Sequence, residues 1–134
     1  YLAYSKNSLV FENKKLKKIK TNKHVSLKNC KLTINTLHSL RQKKVFNYIM
    51  KFKGFFKVTG VDAYNFCSIS EGKFDVLIES GLKVVDIMPI VLIVKNSGAI
   101  ITDWNGKNNF LSGKVLVSPN QKIHKFFLNM LKNY

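Results

Sequence analysis

The second half of the sequence alternates strand-like and helix-like segments. Four short apolar segments are predicted strands, at residues 55–59, 74–78, 99–103 and 115–117. Helices are predicted over Asp62–Ser70, from Asp86 to a turn at Gly98, and from Ser118-Pro119 onward. Because strands and helices follow one another in turn, the sequence predicts an α/β fold, a mixed β-sheet flanked by helices.

The first half has a different pattern. Residues 1–19 alternate like paired strands, with turns predicted at Asn7-Ser8 and Asn13-Lys14. Residues 31–37 are a further predicted strand, and an amphipathic helix is predicted from Ser39 until Gly54. A chain of 134 residues has the length of one compact domain, so we predict a single domain over residues 1–134.

The strong positive charge raises nucleic acid as a partner. The formal net charge is +16, from 23 basic and 7 acidic residues. Only Arg41 is arginine, however, and arginine is the preferred reader of bases and phosphates. The lysines therefore indicate a compositional bias and a solvated surface. We predict that nucleic acid is not the partner, and a basic nucleic-acid-binding module stays as an alternative.

The cysteines and the apolar segments bear on the compartment. Cys30 and Cys67 match no disulfide or metal-ligand spacing, and Cys67 is predicted to be a buried thiol. The longest apolar run falls well short of about 20 residues, so no membrane partner is expected. The sequence shows no secretion signal, and we predict a cytoplasmic location.

Asp86 is the most unusual acidic residue in the sequence. It lies between apolar pairs and precedes an eight-residue apolar run that ends at Val94. Burying a carboxylate there is costly unless a positive partner neutralises it. A metal ion is one such partner, and the start of a helix is another, because Asp is a favoured N-cap. Pro89 is then expected in the first helical turn.

Two strand-to-helix turns bring acids to one edge of the predicted sheet. One turn carries Gly60, Val61 and Asp62, and the other leads from Glu79 to Asp86. In open α/β sheets ligands bind beyond the carboxyl ends of strands. If the two strands are neighbours, these residues would therefore lie together in one crevice. Backbone N–H groups after Gly60 could then face an anion, and Asp86 could hold a hard cation.

A purely structural interpretation of the same acids stays open. Asp62 and Asp86 would then be helix caps, and Glu79 a strand-end residue in water. The remaining acids of this region are predicted at the surface or at the ends of elements: Glu71, Asp75 and Asp103.

Glu79, Gly81 and Asp86, within ESGLKVVDIMPIVLIVKNSGAIITDW, resemble the E-x-G-x-x-x-W-D segment of the inositol monophosphatase family. The upstream run, TGVDAYNFCSISEGKFDVLIESG, is similar to the corresponding run in the histidinol-phosphatase branch of this family. The resemblance implies the carboxy-terminal half of a layered sugar-phosphatase fold. The implied function is Mg²⁺-dependent hydrolysis of a small phosphate monoester, histidinol phosphate first and inositol monophosphate second.

The resemblance also implies a role for each matching residue. Asp86 matches a magnesium ligand, and Glu79 matches a carboxylate that contacts the alcohol part of the substrate. Gly60, Val61 and Asp62 match the substrate-side loop, where an acid at Asp62 suits a cationic amine. Val85 stands where the family has an aromatic residue.

Two family motifs are missing from this sequence. The G-E-E and D-P-[IL]-D-G-[TS] motifs, which carry most metal ligands, do not occur, so the resemblance implies that an amino-terminal metal-binding half is absent. We expect this chain alone to be inactive, and the full-length enzyme to be a homodimer. A non-catalytic remnant is the alternative from another class.

Overall fold

The computed structural model describes residues 1–37, 40, 43–132 and 134. It contains eight strands and four α-helices in the described residues. The strands are β1 (Leu2–Tyr4), β2 (Asn7–Glu12), β3 (Lys15–Ile19), β4 (Lys31–Ile34), β5 (Phe55–Val58), β6 (Val76–Glu79), β7 (Ile100–Thr102) and β8 (Val115–Ser118). The helices are α1 (Lys43–Met50), α2 (Asp62–Ser70), α3 (Val84–Asn96) and α4 (Gln121–Leu131).

The central element is a five-stranded sheet in the order β5-β4-β6-β8-β7. β4 pairs in parallel with both β5 and β6, whereas β8 pairs antiparallel with β6 and β7. The sheet is therefore mixed, as predicted. Its three parallel strands all end at the same edge, which is where the predicted site residues lie.

Helices cover both faces of this sheet. Along β6, Val76 and Ile78 point into a core formed with α1 and α4, and Leu77 points into a second core formed with α2 and α3. This alternation follows from the two-residue period of a strand. Because both faces are covered, every residue of β6 and β8 is buried.

A three-stranded antiparallel sheet, β1-β2-β3, packs on the outer side of α3. The Ser8 hydroxyl donates to the Ile93 carbonyl of α3 at 2.5 Å, and the Asn96 amide donates to the Ser5 carbonyl at 3.1 Å. The chain thus forms four layers: the small sheet, α2 with α3, the large sheet, and α1 with α4. None of the described helices is long and apolar enough to cross a lipid bilayer.

Several predicted boundaries are wrong in the first half. Asn7 and Ser8 lie inside β2, because the chain turns earlier, at Ser5, which has a positive φ of 54°. β4 ends at Ile34, before the predicted limit. α1 ends at Met50 rather than at Gly54, and its predicted start at Ser39 lies outside the described residues.

The start of α3 also differs from the prediction. The helix begins at Val84 with Lys83 as N-cap, so Asp86 is the third helical residue and not the cap. Pro89 is consequently the sixth helical residue, beyond the first turn. Its missing N–H leaves the carbonyl of Val85 without the usual helical donor, and Val85 is 72% exposed to solvent.

Candidate active site

The candidate site lies where β4, β5 and β6 end. β5 and β6 are not neighbours, because β4 lies between them. The predicted convergence of their acids therefore depends on the residue that follows β4, Asn35. This residue was missed in the sequence, since it belongs to no acidic or glycine-rich motif.

Asn35 connects the two predicted turns. Its backbone N–H donates to both carboxylate oxygens of Glu79, at 2.9 Å and 3.1 Å. Its carbonyl accepts a hydrogen bond from the Gly60 N–H at 2.9 Å. The structure therefore brings Gly60 and Glu79 together around the Asn35 backbone, and Asp62 follows Gly60 at the start of α2.

Glu79 is fully buried, with 0% of its surface exposed. This differs from the interpretation of Glu79 as a strand-end residue in water. A buried carboxylate is costly unless hydrogen bonds satisfy its oxygens, and the Asn35 N–H supplies such bonds. Glu79 is consequently held in one orientation at the end of β6.

The turn after β5 is fixed by a second set of hydrogen bonds. The Thr59 hydroxyl donates to Asn65 Oδ1 at 2.5 Å, and the Thr33 hydroxyl of β4 donates to the same oxygen at 3.2 Å. Gly60 adopts a φ of +76°, which favours glycine because a side chain is strained there. The turn is therefore pinned to both the sheet and α2.

Asp62 is the first residue of α2, and Val61 is the N-cap, with no side-chain cap hydrogen bond. Burial raises the pKa of the Asp62 carboxyl, and the negative charge of Asp86 raises it further, whereas the Asn35 hydrogen bond lowers it. The turns after β5 and β6 are joined through the Asn35 backbone, and the convergence of Asp86 with them stays a prediction.

Asp86 itself is half-buried and is held by the backbone of its own helix. One carboxylate oxygen accepts the Lys83 N–H at 2.8 Å. A carboxylate at the third helical position also interacts favourably with the helix dipole. Asp86 therefore needs no metal ion to occupy its position, and the high cost of burial expected from its apolar neighbours does not apply.

The donor chemistry of this edge fits magnesium only in part. Carboxylate oxygens suit Mg²⁺, but the ion prefers about six oxygen ligands. Within the described part of the chain, no group of three or more His, Cys, Asp or Glu side chains is placed to hold a metal ion. These residues alone do not form a magnesium site, and Asp86 would be one ligand among others.

The remaining acids lie at the ends of elements, as predicted, but two of them are buried. Glu71 caps the end of α2 as expected, but Asp75 and Asp103 are buried, with exposures of 0% and 3%. Asp75 accepts the Lys31 N–H at 2.8 Å, and Asp103 accepts the Lys107 N–H at 2.7 Å. Backbone N–H groups donate to one carboxylate oxygen of each, which indicates a structural role, although Asp75 Oδ1 has no hydrogen-bond partner among the described residues.

The cysteines do not take part in this site as nucleophiles. Cys67 is a buried free thiol, as predicted, and Cys30 is buried as well. Burial raises the pKa of Cys30 to about 12 and that of Cys67 to about 11. Because the thiolate is the reactive form, both side chains are inert at neutral pH.

Comparison with known proteins agrees with this fold. The model of the inositol monophosphatase family matches residues 1–134, the whole chain. The chain belongs to the inositol monophosphatase family. An inositol monophosphatase from Zymomonas mobilis has the same fold, with a TM-score of 0.71 and 24% identity over 86% of this chain and 47% of that one.

Two relatives match parts of the sequence. A putative Nus factor SuhB of Neisseria meningitidis is 27% identical over 113 residues, which are 80% of this chain and 43% of that protein. The chloroplastic bifunctional phosphatase IMPL2 of Arabidopsis thaliana is 42% identical over 48 residues, 36% of this chain and 14% of that protein. This chain spans less than half the length of these relatives. The comparisons confirm the predicted family and do not distinguish its branches.

Proposed function

We propose that this chain is the carboxy-terminal part of a Mg²⁺-dependent phosphomonoesterase that acts on a small phosphorylated metabolite. Histidinol phosphate is the leading substrate, and inositol monophosphate is the runner-up. The observation that supports this most is the junction at Asn35, whose backbone joins Gly60 and Glu79 at the sheet edge where Asp62 begins α2. The negative charge of Asp86 also raises the pKa of the Asp62 carboxyl.

Each residue then has a separate role. Glu79 and Asp62 would contact the alcohol part of the substrate, and the backbone N–H groups that follow Gly60, beginning with that of Val61, would face its phosphate. Asp86 would be one ligand of the magnesium ion. The chemistry that magnesium supplies when bound is activation of the attacking water and neutralisation of phosphoryl charge.

The chain as given is expected to show no phosphatase activity, because its described residues supply too few metal ligands. We propose that the other ligands come from an amino-terminal half that this sequence does not include. Adding that half, in cis or in trans, should produce Mg²⁺-dependent hydrolysis of histidinol phosphate. Equal rates on histidinol phosphate and inositol monophosphate, or no hydrolysis of either, would contradict the proposed substrate.

A substitution of the proposed metal ligand tests the assignment directly. In the complete protein, Asp86→Asn should reduce hydrolysis by more than about 100-fold, since residues that only support a metal ligand already cost about 10- to 100-fold. Glu12→Gln is the matched control, because Glu12 is an exposed acid paired with Lys17. If Asp86→Asn reduces the rate of hydrolysis no more than Glu12→Gln does, Asp86 is not a metal ligand.

A second, non-catalytic function is favoured by the similarity to proteins called Nus factors. In that case Asp86→Asn would leave function unchanged. Binding of nucleic acid by the lysine-rich surface stays a less favoured alternative, and a salt titration tests it. Lysine-to-phosphate contacts require affinity to fall steeply with salt.

We further propose that the complete protein is cytoplasmic and forms a homodimer. Analytical ultracentrifugation of the complete protein tests the dimer, and fractionation of cells tests the location. A monomer at micromolar concentration would contradict the first of these proposals.

A further inference from the structure

A groove lies between α1 and α4, in the layer on the far side of the five-stranded sheet from the small sheet. Its volume is about 1190 Å³, and its lining includes Ile49, Phe52 and Phe127. Asn29 and Gly54, which precede β4 and β5, also line it. This α1–α4 groove is therefore at the opposite end of these strands from the candidate active site.

The floor of the α1–α4 groove is aromatic. The rings of Phe126 and Phe127 are 5.2 Å apart in an edge-to-face arrangement, and the ring of Phe52 is 5.8 Å from that of Phe127. Phe126 of α4 is 45% exposed, and Tyr48 of α1 is 60% exposed. An open apolar groove between two helices is the kind of surface that binds an amphipathic helix.

The charged residues that line the groove are all lysines. They are Lys28, Lys44, Lys51 and Lys53, and each of them is exposed. In the described part of the chain no acidic residue lines the groove, although the sequence contains seven acids. A partner that fills the groove must therefore supply the negative charges itself.

The positions of these lysines favour several acids in a row over a single negative group. Lys44 is the second residue of α1 and Lys51 directly follows its last, so their Cα atoms lie about 10 Å apart along the helix axis. A fatty acid carries one carboxylate, whereas a helix with acids about two turns apart presents one to each lysine. A second copy of this chain is disfavoured, because it carries the same net charge of +16.

We propose that the α1–α4 groove binds an acidic amphipathic helix of a partner protein. The apolar side chains of that helix, spaced three and four residues apart, pack on Tyr48 and Phe126, and its flanking acids face Lys44 and Lys51. The interaction does not depend on phosphatase activity, because the residues of the candidate active site, all of which are described, do not line the groove.

Two synthetic peptides test the proposal by fluorescence anisotropy with the complete natural protein. Both are about 15 residues long and contain the same leucines and glutamates. In the first the leucines form one helical face, and in the second their order is scrambled. The first should bind with a Kd of about 10 µM, and the second at least about tenfold more weakly. Equal affinities, or no binding of the first peptide, would overturn the proposal.

Two residues of α1 give a matched pair of apolar substitutions. Tyr48 lines the groove and is 60% exposed, whereas Met50 lies outside its lining and is 54% exposed. Tyr48→Ser should weaken binding of the first peptide about tenfold, because tyrosines contribute strongly to interfaces, and Met50→Ser should not change it. Both residues are exposed, so the Tm should stay nearly constant. Equal losses of affinity in the two variants would overturn the proposal.

Lys43 and Lys44 give the matched pair for charge. Both are exposed, and of the two only Lys44 lines the groove. Lys44→Glu should weaken binding of the first peptide about fivefold, and Lys43→Glu less than about twofold. Similar effects of the two substitutions would show that the peptide responds to the net charge of the protein and not to the groove, which would overturn the proposal.

Other occupants of the groove give different results. Binding of oleate that Tyr48→Ser abolishes, without binding of the first peptide, would identify a lipid site. Loss of self-association in Tyr48→Ser, measured by analytical ultracentrifugation and again without peptide binding, would identify a contact between copies of this chain. Either result would overturn the proposal.

Discussion

The two sheets of this chain differ in how their apolar residues are covered. In the five-stranded sheet, helices pack on both faces, and all residues of β6 and β8 are buried. In the three-stranded sheet, four large apolar side chains are between 49% and 71% exposed: Leu2, Tyr4, Phe11 and Leu16.

The strand register explains the exposure in the small sheet. Leu2 pairs with Leu9, and Phe11 pairs with Leu16, so these side chains share one face. The opposite face carries Ser8, which contacts α3. An exposed apolar face of this kind is typical of an interaction surface. By contrast, Glu79 of the candidate site ends β6, a strand that is buried along its whole length. The candidate site therefore lies at the edge of the better-packed of the two sheets.

The largest expected contrast is in stability. Leu77→Ala should lower the free energy of unfolding by about 2–5 kcal/mol, because Leu77 is fully buried and its truncation leaves a cavity. Leu16→Ala, at a residue 59% exposed, should change it by less than about 0.5 kcal/mol. Urea unfolding at one pH measures both. Similar losses of unfolding free energy in the two variants would contradict the difference in packing between the two sheets.

A smaller effect concerns a buried polar group on the five-stranded sheet. His124 of α4 is 2% exposed and lies between the hydroxyls of Ser118 and Thr102, at 2.7 Å and 3.0 Å. Burial lowers its pKa from 6.5 to about 4. Between these values the unfolded chain binds the proton and the folded chain does not, so stability falls as the pH decreases.

The slope from one such proton is about 1.4 kcal/mol per pH unit. Burial raises the pKa values of Asp62 and Asp75, so these carboxyls add stability as the pH decreases, opposite to His124. The test therefore compares the pH dependence of unfolding between variants, in which the contribution of the carboxyls is the same. His124→Gln should flatten the acid-side loss seen by urea unfolding, and His24→Gln, at an exposed histidine, should not. Equal slopes in both variants would contradict the assignment.

The smallest expected change in stability is at the exposed face. Phe11→Ser removes an apolar side chain that is 67% exposed, so the free energy of unfolding should change by less than about 0.5 kcal/mol. Binding of a hydrophobic dye and self-association should nevertheless decrease, since the apolar face is interrupted. Val10→Ser, on the opposite face, is the comparison. A large loss of stability in Phe11→Ser would show that its side chain is packed after all.

Local patterns predicted those elements whose signals are contained in a short segment. The span of α2, Asp62–Ser70, follows from its flanking glycines, and the mixed sheet follows from the alternation of elements. Lys83 is not a favoured N-cap residue, and Ser5 adopts a positive φ that is uncommon for residues other than glycine, so both boundaries were misplaced. The residue types at these two boundaries therefore did not indicate their position.

The non-local part of the site could not be predicted in the same way. Asn35 matters because β4 lies between β5 and β6, and strand order is not written in any one segment. Asp75 was expected at the surface or at the end of an element, and its burial could not be predicted because it is coupled to the Lys31 backbone, 44 residues away. By contrast, Glu79, Gly60 and Asp62 follow glycine and acid patterns that ligand-binding turns share.

The most direct test of the account is the position of the metal ion in the complete protein. Crystals grown with Mn²⁺, which takes similar oxygen ligands to Mg²⁺, should give an anomalous peak within about 2.2 Å of the Asp86 carboxylate. A substrate analogue in the same crystal should place its alcohol part beside Glu79 and Asp62. A metal bound elsewhere, with Asp86 still held only by the Lys83 N–H, would contradict the account.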